Sequence, residues 1–120
     1  MLAHEIDTKK YEVLLFEKNN TFGRKFLVAG EGGFNLTHSE APDNFIRRYT
    51  PNAFIEQAFA HFNNHDTMLW LNANGIETFA GSSGRNFPKA RMKKKKVLNV
   101  LKKKIKKNGV VLNNKFEWKG

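Results

Sequence analysis

One short segment constrains the fold of this chain of 120 residues more than any other: the apolar run from Tyr11 to Phe16, which ends at Glu17. The run is nearly continuous and does not alternate with polar residues. Strands that are buried on both faces of a parallel sheet have this pattern. The segment therefore predicts an internal strand of a parallel sheet.

Helical patterns follow this strand and alternate with shorter strand patterns. The pair Thr50-Pro51 is typical of a helix start, and apolar residues recur at helical spacing from Phe54 to Phe62. Asn63 or Asn64 then predicts the cap of a second helix, which ends at Asn74-Gly75. Further on, the pattern predicts a short strand over 76–80, a helix over about 90–107 and a strand that begins at Val110.

Two glycine-containing stretches show no clear periodicity, and we expect them to be loops. They are residues 18–50, a long ordered loop region, and residues 81–88. Residues 1–6 are of helical composition but are too few to form a stable helix alone. The order of strands and helices predicts the α/β class, with residues 1–120 forming a single domain.

The composition excludes several classes of protein. The chain has no cysteine, which rules out disulfides, zinc ribbons and a cysteine nucleophile, so redox chemistry would require a bound cofactor. No stretch approaches the roughly 20 apolar residues of a membrane span, and charged residues interrupt the first sixteen positions. We therefore expect a folded cytoplasmic protein without a membrane segment.

The net charge of +10 comes from one segment. Residues 89–107 hold eleven of the 21 cations and no acid, whereas the other ten cations face eleven acids. A lysine-rich helix over 91–107 could bind phosphate backbones, so a small basic nucleic-acid-binding domain is the alternative function. A solvated helix face above an apolar stripe is the simpler interpretation, because no aromatic residues interleave with the lysines to stack bases.

Glu17 is the first residue that suggests a specific ligand. In dinucleotide-binding folds, an acid at the carboxyl end of the second strand accepts hydrogen bonds from the adenosine ribose. The glycine-rich phosphate turn lies about 20 residues before that acid, but counting back from Glu17 runs off the chain, and no glycine precedes Gly23. We therefore expect a partial Rossmann-like fold that lacks its first strand and its Gly-rich turn.

Several blocks in register extend this interpretation to the whole chain. They are Phe16-Glu17-Lys18-Asn19, Phe22-Gly23-Arg24-Lys25, Gly30 to His38, Gly84-Arg85-Asn86-Phe87-Pro88, Val97 to Leu101, and Gly109-Val110. In order and spacing they resemble the family of BaiN/YhiN-like flavoproteins, which are NAD(P)/FAD-dependent oxidoreductases. Many members have Arg and Cys where this chain has Gly33 and Phe34, and glycine where it has Glu31.

The resemblance implies an FAD-binding domain and a set of cofactor contacts. Glu17 would hold the ribose, Arg24 and Lys25 would stabilise the phosphates or their covering loop, and the stretch from Gly30 to Asn35 would pass close to the flavin. The implied cofactor-binding residues are Glu17, Lys18, Arg24, Lys25, Gly30, Gly32, Gly33 and Asn35. Glycines suit such a position because a backbone without Cβ atoms can approach a planar ring.

Two other candidate sites are weaker. His61 and His65 are four residues apart, but Asn63 and Asn64 are expected to break the helix between them, so a metal site is not predicted. Ser82 and Ser83 do not form a nucleophile elbow, because Arg85 stands where that motif needs glycine.

The sequence thus predicts a fragment of a flavin-dependent oxidoreductase, incomplete at both ends. We expect the chain alone to be inactive and to bind FAD weakly or not at all, because the first strand and the pyrophosphate-binding turn are expected outside it. Unpaired strand edges should also favour self-association.

Overall fold

A computed structural model describes residues 2–28, 34–89 and 92–120 and shows an α/β fold in two compact units. One unit contains residues up to 28 together with 94–120, and the other contains residues 34–93. Two short 3-10 turns, Ile46–Arg48 and Asn52–Phe54, interrupt the second unit. In chain order, the helices and strands are α1 Leu2–Glu5, β1 Leu14–Glu17, α2 Arg24–Val28, β2 Thr37–His38, α3 Pro42–Phe45, α4 Glu56–His61, α5 Asn64–Ala73, β3 Thr78–Ala80, β4 Arg85–Pro88, α6 Lys94–Lys107 and β5 Val111–Asn114.

The first unit is built around the parallel pair β1 and β5. Leu14 pairs with Val111 and Glu17 pairs with Asn114, so both strands end at the same edge. Helix α6 directly precedes β5 in the chain and packs against α2 and α1. A parallel pair requires a crossover connection, and a helix before the second strand is the usual arrangement.

The apolar stripe of α6 supplies most of this unit's core. Val97 is fully buried and Leu98 is 9% exposed, and Val110 is buried just before β5. Gly23, with φ of +74°, lies so close to α6 that a Cβ atom there would be 2.7 Å from Leu98 Cδ1. Glycine is required at this position both by the backbone conformation and by the close approach.

The predicted strand over 11–16 is confirmed as a parallel strand, but it starts later, at Leu14, and includes Glu17. The expectation that both of its faces are buried is wrong, because Leu14 is 45% exposed and Phe16 is 56% exposed. The side chains alternate between exposed and half-buried along the strand. The described part of this sheet has only two strands, so β1 is covered less than an internal strand of a larger sheet would be.

The second unit is an antiparallel sheet, in the order β2-β4-β3, with helix α5 packed against it. Strands β3 and β4 form a hairpin, in which Gly84 has φ of +76°. Leu71 of α5 and Ile76 just beyond it are buried, and Ile76 is fully enclosed. The Asn64 side chain links helix to sheet, because its Nδ2 donates to the carbonyls of His38 and Glu40 at 2.8 Å each.

The predicted cap of the second helix is confirmed at Asn63. Its side chain accepts hydrogen bonds from the backbone N–H groups of His65 and Asp66, and the Asp66 carboxylate accepts from Asn63 N at 2.9 Å. These reciprocal bonds form a capping box. The helix end predicted at Asn74-Gly75 is confirmed as well, with φ of +77° at Gly75, and Gly109 follows α6 with φ of +87°.

Other sequence predictions are wrong. No helix begins at Pro51, whose backbone is extended, and α4 starts only at Glu56. Residues 18–50 are not one loop, because α2, β2 and α3 lie within them. Likewise, the four C-terminal residues of the predicted loop 81–88 form strand β4. The strands β2 and β4 form because they pair with each other and with β3, although their local sequence is rich in glycine and polar residues. The helices α2 and α3 are too short to give a clear sequence pattern.

Within the described ranges, no helix has both the length and the apolar character that crossing a membrane would require.

Candidate functional site

The carboxyl end of β1 places Glu17 beside a tight turn formed by the residues that follow. Glu17 Oε1 accepts hydrogen bonds from Asn19 N at 2.9 Å and from Asn19 Nδ2 at 2.7 Å. These two bonds lower the pKa of Glu17 below its ordinary value, and the backbone bond has the larger effect. The charge of Lys18 lowers this pKa further, by a smaller amount. The carboxylate is therefore ionised at neutral pH and is held by one oxygen.

The chain after β5 fixes the same turn from the other strand. Asn114 Nδ2 donates to the carbonyl of Asn20 at 3.0 Å, and the Phe116 N–H donates to the carbonyl of Glu17 at 3.1 Å. Lys18 also lies 3.9 Å from the Glu117 carboxylate. Both parallel strands thus contribute to one edge, where ligands of open α/β sheets bind.

Two pockets of similar size occur in the described residues, and the smaller one, of about 450 Å³, opens beside this edge. The residues that line the smaller pocket are Lys18, Asn19, Asn20, Thr21, Arg24 and Leu27. Two cations and two amides at its wall suit an anionic or strongly polar ligand. Lys25 is exposed on α2 and does not line this pocket.

The glycine-rich stretch falls partly outside the described residues, and this applies to Gly30, Gly32 and Gly33. Asn35 is described and belongs to the second unit, where it lines the pocket of about 490 Å³. The structure therefore brings Glu17, Lys18 and Arg24 together in the first unit and places Asn35 in a different cavity. How Gly30, Gly32 and Gly33 approach a ligand stays a prediction.

The cavity that contains Asn35 is a groove between the sheet and the helices of the second unit, which we call the aromatic groove. Its apolar wall is formed by Phe45, Tyr49, Phe59 and Phe62, and its polar lining includes Asn35, Thr37, His38, Arg48, Asn63, Asn64, Thr67 and Arg85. Phe45 stacks against His38 and against Phe59, with ring centroids 6.2 and 6.0 Å apart. This ring stack makes one wall of the groove well packed.

The two arginines of the aromatic groove differ in their partners. Arg48 forms a two-pronged ion pair with Glu40, at 2.5 Å from Nε to Oε1 and 3.1 Å from Nη2 to Oε2. The pairing lowers the pKa of Glu40 and raises that of Arg48. Arg85 is exposed and forms no ion pair with the described residues.

The remaining candidates from the sequence carry no site in the structure. His61 Nδ1 lies 2.9 Å from the Gln57 carbonyl and His65 Nε2 lies 3.3 Å from the Ser39 carbonyl, on two separate helices. Ser82 and Ser83 lie in the turn between β3 and β4. Across the described ranges, no three His, Asp or Glu side chains are grouped as metal ligands would be.

The lysine-rich helix predicted over about 90–107 is confirmed, but it begins later, at Lys94, and ends at Lys107 as predicted. Its apolar stripe is buried at Val97 and Leu98, and most of its lysines are exposed. This is the arrangement of an ordinary amphipathic helix with a solvated face. The nucleic-acid-binding alternative gains no support from the structure.

A parallel strand pair, a helix that precedes the second strand, and an acid at the shared carboxyl edge define a Rossmann-like α/β protein. The comparison with known families agrees. Residues 1–120 match the family described as the HI0933-like protein Rossmann domain, and the chain belongs to this family. Its members are in general flavin-binding proteins.

Sequence analysis missed the aromatic groove. The sequence blocks Gly30 to His38 and Gly84 to Pro88 were recognised separately, but no contact between them was predicted. That contact comes from the antiparallel pairing of β2 and β4, in which His38 lies opposite Arg85. Helical spacing did mark Phe59 and Phe62 as one apolar face, which was the available signal.

Proposed function

We propose that this chain supplies the adenosine-binding edge of an FAD site in a flavin-dependent oxidoreductase. The observation that carries the proposal is the ionised Glu17 carboxylate at the carboxyl end of a parallel strand. One of its oxygens, Oε1, is held by the backbone and side chain of Asn19. The ribose hydroxyls of FAD are donors that would bind this carboxylate.

The neighbouring cations support the same ligand. Lys18 and Arg24 line the pocket of about 450 Å³ beside Glu17, and the FAD pyrophosphate is an anion for which such side chains are suited. Lys25, one residue further along α2, would stabilise the phosphates or a covering segment. Gly30, Gly32, Gly33 and Asn35 are proposed to pass close to the flavin, on the strength of the family resemblance of that stretch.

When bound, the flavin would supply hydride-transfer chemistry, with NADH or NADPH as the proposed reductant. The part of this chain would be to hold and orient the cofactor. The sequence carries no G-x-G-x-x-G turn, and that turn normally provides the main pyrophosphate contacts. We therefore propose that the 120-residue chain alone is inactive and binds FAD weakly or not at all.

Ligand titration followed by NMR tests the ribose role. We expect ADP-ribose, which contains the adenosine and pyrophosphate of FAD, to shift the backbone amide signals of Asn19 and Asn20 at millimolar concentrations. Glu17→Gln should weaken the effect about ten-fold, because it removes a hydrogen bond to a charged acceptor. Glu12→Gln, which changes an exposed acid before β1, is the matched control and should leave the shifts unchanged.

Two results would contradict these proposals. If Glu17→Gln leaves the ADP-ribose-induced shifts unchanged, Glu17 does not bind the ribose. A yellow purified chain with flavin bound one to one would contradict weak binding, while leaving the assignment of the FAD site intact.

A further inference from the structure

We infer that the aromatic groove is a binding site for a small aromatic carboxylate whose ring also carries a hydroxyl group. This inference does not rest on the proposed role of Glu17, because the residues that carry it belong to the second unit, whereas Glu17 belongs to the first. It rests on three features of the groove: its wall of aromatic rings, the arginine Arg85 that has no ion-pair partner among the described residues, and the buried amide oxygen of Asn64 that accepts no hydrogen bond from them.

The wall gives the groove its preference for a flat apolar ring. Phe62 is 39% exposed and Tyr49 is 44% exposed, and both line the groove. Aromatic side chains exposed at a concave surface gain free energy when a ring covers them. The volume of about 490 Å³ is within the range of small-molecule sites.

Arg85 gives the groove its preference for an anion. The other groove arginine, Arg48, already binds both oxygens of Glu40, so its charge is neutralised locally. Arg85 has no acidic partner among the described residues, and the guanidinium fork suits a carboxylate. Its position is fixed at the backbone, since β4 pairs with His38 of β2.

Asn64 is the reason for proposing a hydroxyl group on the ligand. This residue lines the groove and is only 2% exposed. Its Nδ2 donates to two backbone carbonyls, which fixes the orientation of the amide, while its Oδ1 accepts no hydrogen bond from the described residues. A buried acceptor without a donor is costly, and because this oxygen has less than 1 Å² of accessible surface, a ligand hydroxyl would supply the donor only once the groove lining moves.

The test uses three probes that differ in one group each: para-hydroxybenzoate, its uncharged amide, and benzoate. We expect para-hydroxybenzoate to give saturable NMR shifts at residues of the groove, such as Thr37 and Thr67, and to bind more tightly than either of the other probes. Arg85→Gln should weaken para-hydroxybenzoate about five-fold and leave the amide unaffected, as expected for an exposed ion pair.

Arg47→Gln is the matched control, because Arg47 is an exposed arginine that does not line the groove, and it should change neither affinity. Arg85→Lys should retain part of the preference for the carboxylate, which separates a role of charge from a loss of folding. The inference is overturned if no probe gives saturable shifts, if acid and amide bind equally, or if Arg47→Gln has the same effect as Arg85→Gln. None of these outcomes bears on ADP-ribose binding at Glu17.

Discussion

Asn63 sets the start of α5, because its side chain accepts from two backbone N–H groups that would otherwise lack partners. Asn63→Ala should lower the free energy of unfolding by about 1 kcal/mol. Asn52→Ala is the control, since Asn52 begins a 3-10 turn without forming a side-chain cap, and it should have little effect. Urea denaturation of both variants measures the difference, and equal losses would argue against the capping box.

Gly84 is needed for the turn that faces His38. Its φ is +76°, and a Cβ atom there would lie 2.5 Å from His38 Cε1. Gly84→Ala should therefore destabilise the protein by about 1–3 kcal/mol, through backbone strain and displacement of the imidazole ring. Gly75→Ala is the control, because Gly75 also has a positive φ but its added Cβ atom would meet no atom within 4 Å. In thermal unfolding, the additional loss of stability at Gly84 therefore measures the clash with His38.

Glu40 makes part of the stability depend on pH. Arg48 lowers the pKa of Glu40 in the folded protein, so the unfolded chain binds a proton more readily. The resulting stabilisation is present above the unfolded pKa of about 4.3 and is lost as the pH falls through the lower, folded pKa. Glu40→Gln should lower the melting temperature at pH 7 and converge with the wild type in strong acid; a constant difference at all pH values would contradict this.

At the scale of elements, α2 packs against α6, and Gly23, the residue just before α2, approaches Leu98 of α6 closely. Leu98→Ala should destabilise the protein by about 2–4 kcal/mol, because it leaves a cavity in a small core. Gly23→Ala should destabilise it too, by a clash with the Leu98 side chain and by strain at positive φ. In the Leu98→Ala background the clash disappears, so the double mutant should be more stable than the sum of the two losses predicts.

A double-mutant cycle measured by denaturant unfolding gives this coupling directly. Strict additivity would mean that Leu98 does not hold α2 at Gly23. Leu101→Ala, on the same stripe of α6 but only half-buried, should show no coupling with Gly23→Ala.

At the scale of the whole molecule, we expect the exposed face and edges of the β1-β5 sheet to promote self-association. Phe16 and Trp118 are 56% and 89% exposed, and with Phe116 they line an apolar pocket of about 280 Å³. The net charge of +10 opposes association, and salt screens that repulsion. Sedimentation velocity should therefore show oligomers that increase with ionic strength.

Phe16→Lys should reduce this association, because it places a charge on the exposed face of β1. Phe54→Lys is the control, since Phe54 is 86% exposed but lies in the other unit, and it should not change the distribution. A chain that stays monomeric at every salt concentration would contradict the expectation.

The sequence alone determined the features that depend on neighbouring residues. Asn63 as a helix cap, Gly75 and Gly109 as helix ends, the stripe of α6, and the strand that ends at Glu17 follow from local chemistry and periodicity. Together they were enough for the α/β class, whereas the family was inferred from the sequence blocks that resemble it. Local interactions of this kind act within one or two turns of chain and need no knowledge of distant partners.

Only the tertiary structure decided the features that depend on pairing across the chain. The order β2-β4-β3 brings His38 opposite Arg85 and thereby creates the aromatic groove. The exposure of Phe16 depends on how many strands and helices cover β1, which its own apolar sequence does not specify. Burial and strand pairing are properties of contacts between segments that lie far apart in sequence, so the same local pattern is compatible with several outcomes.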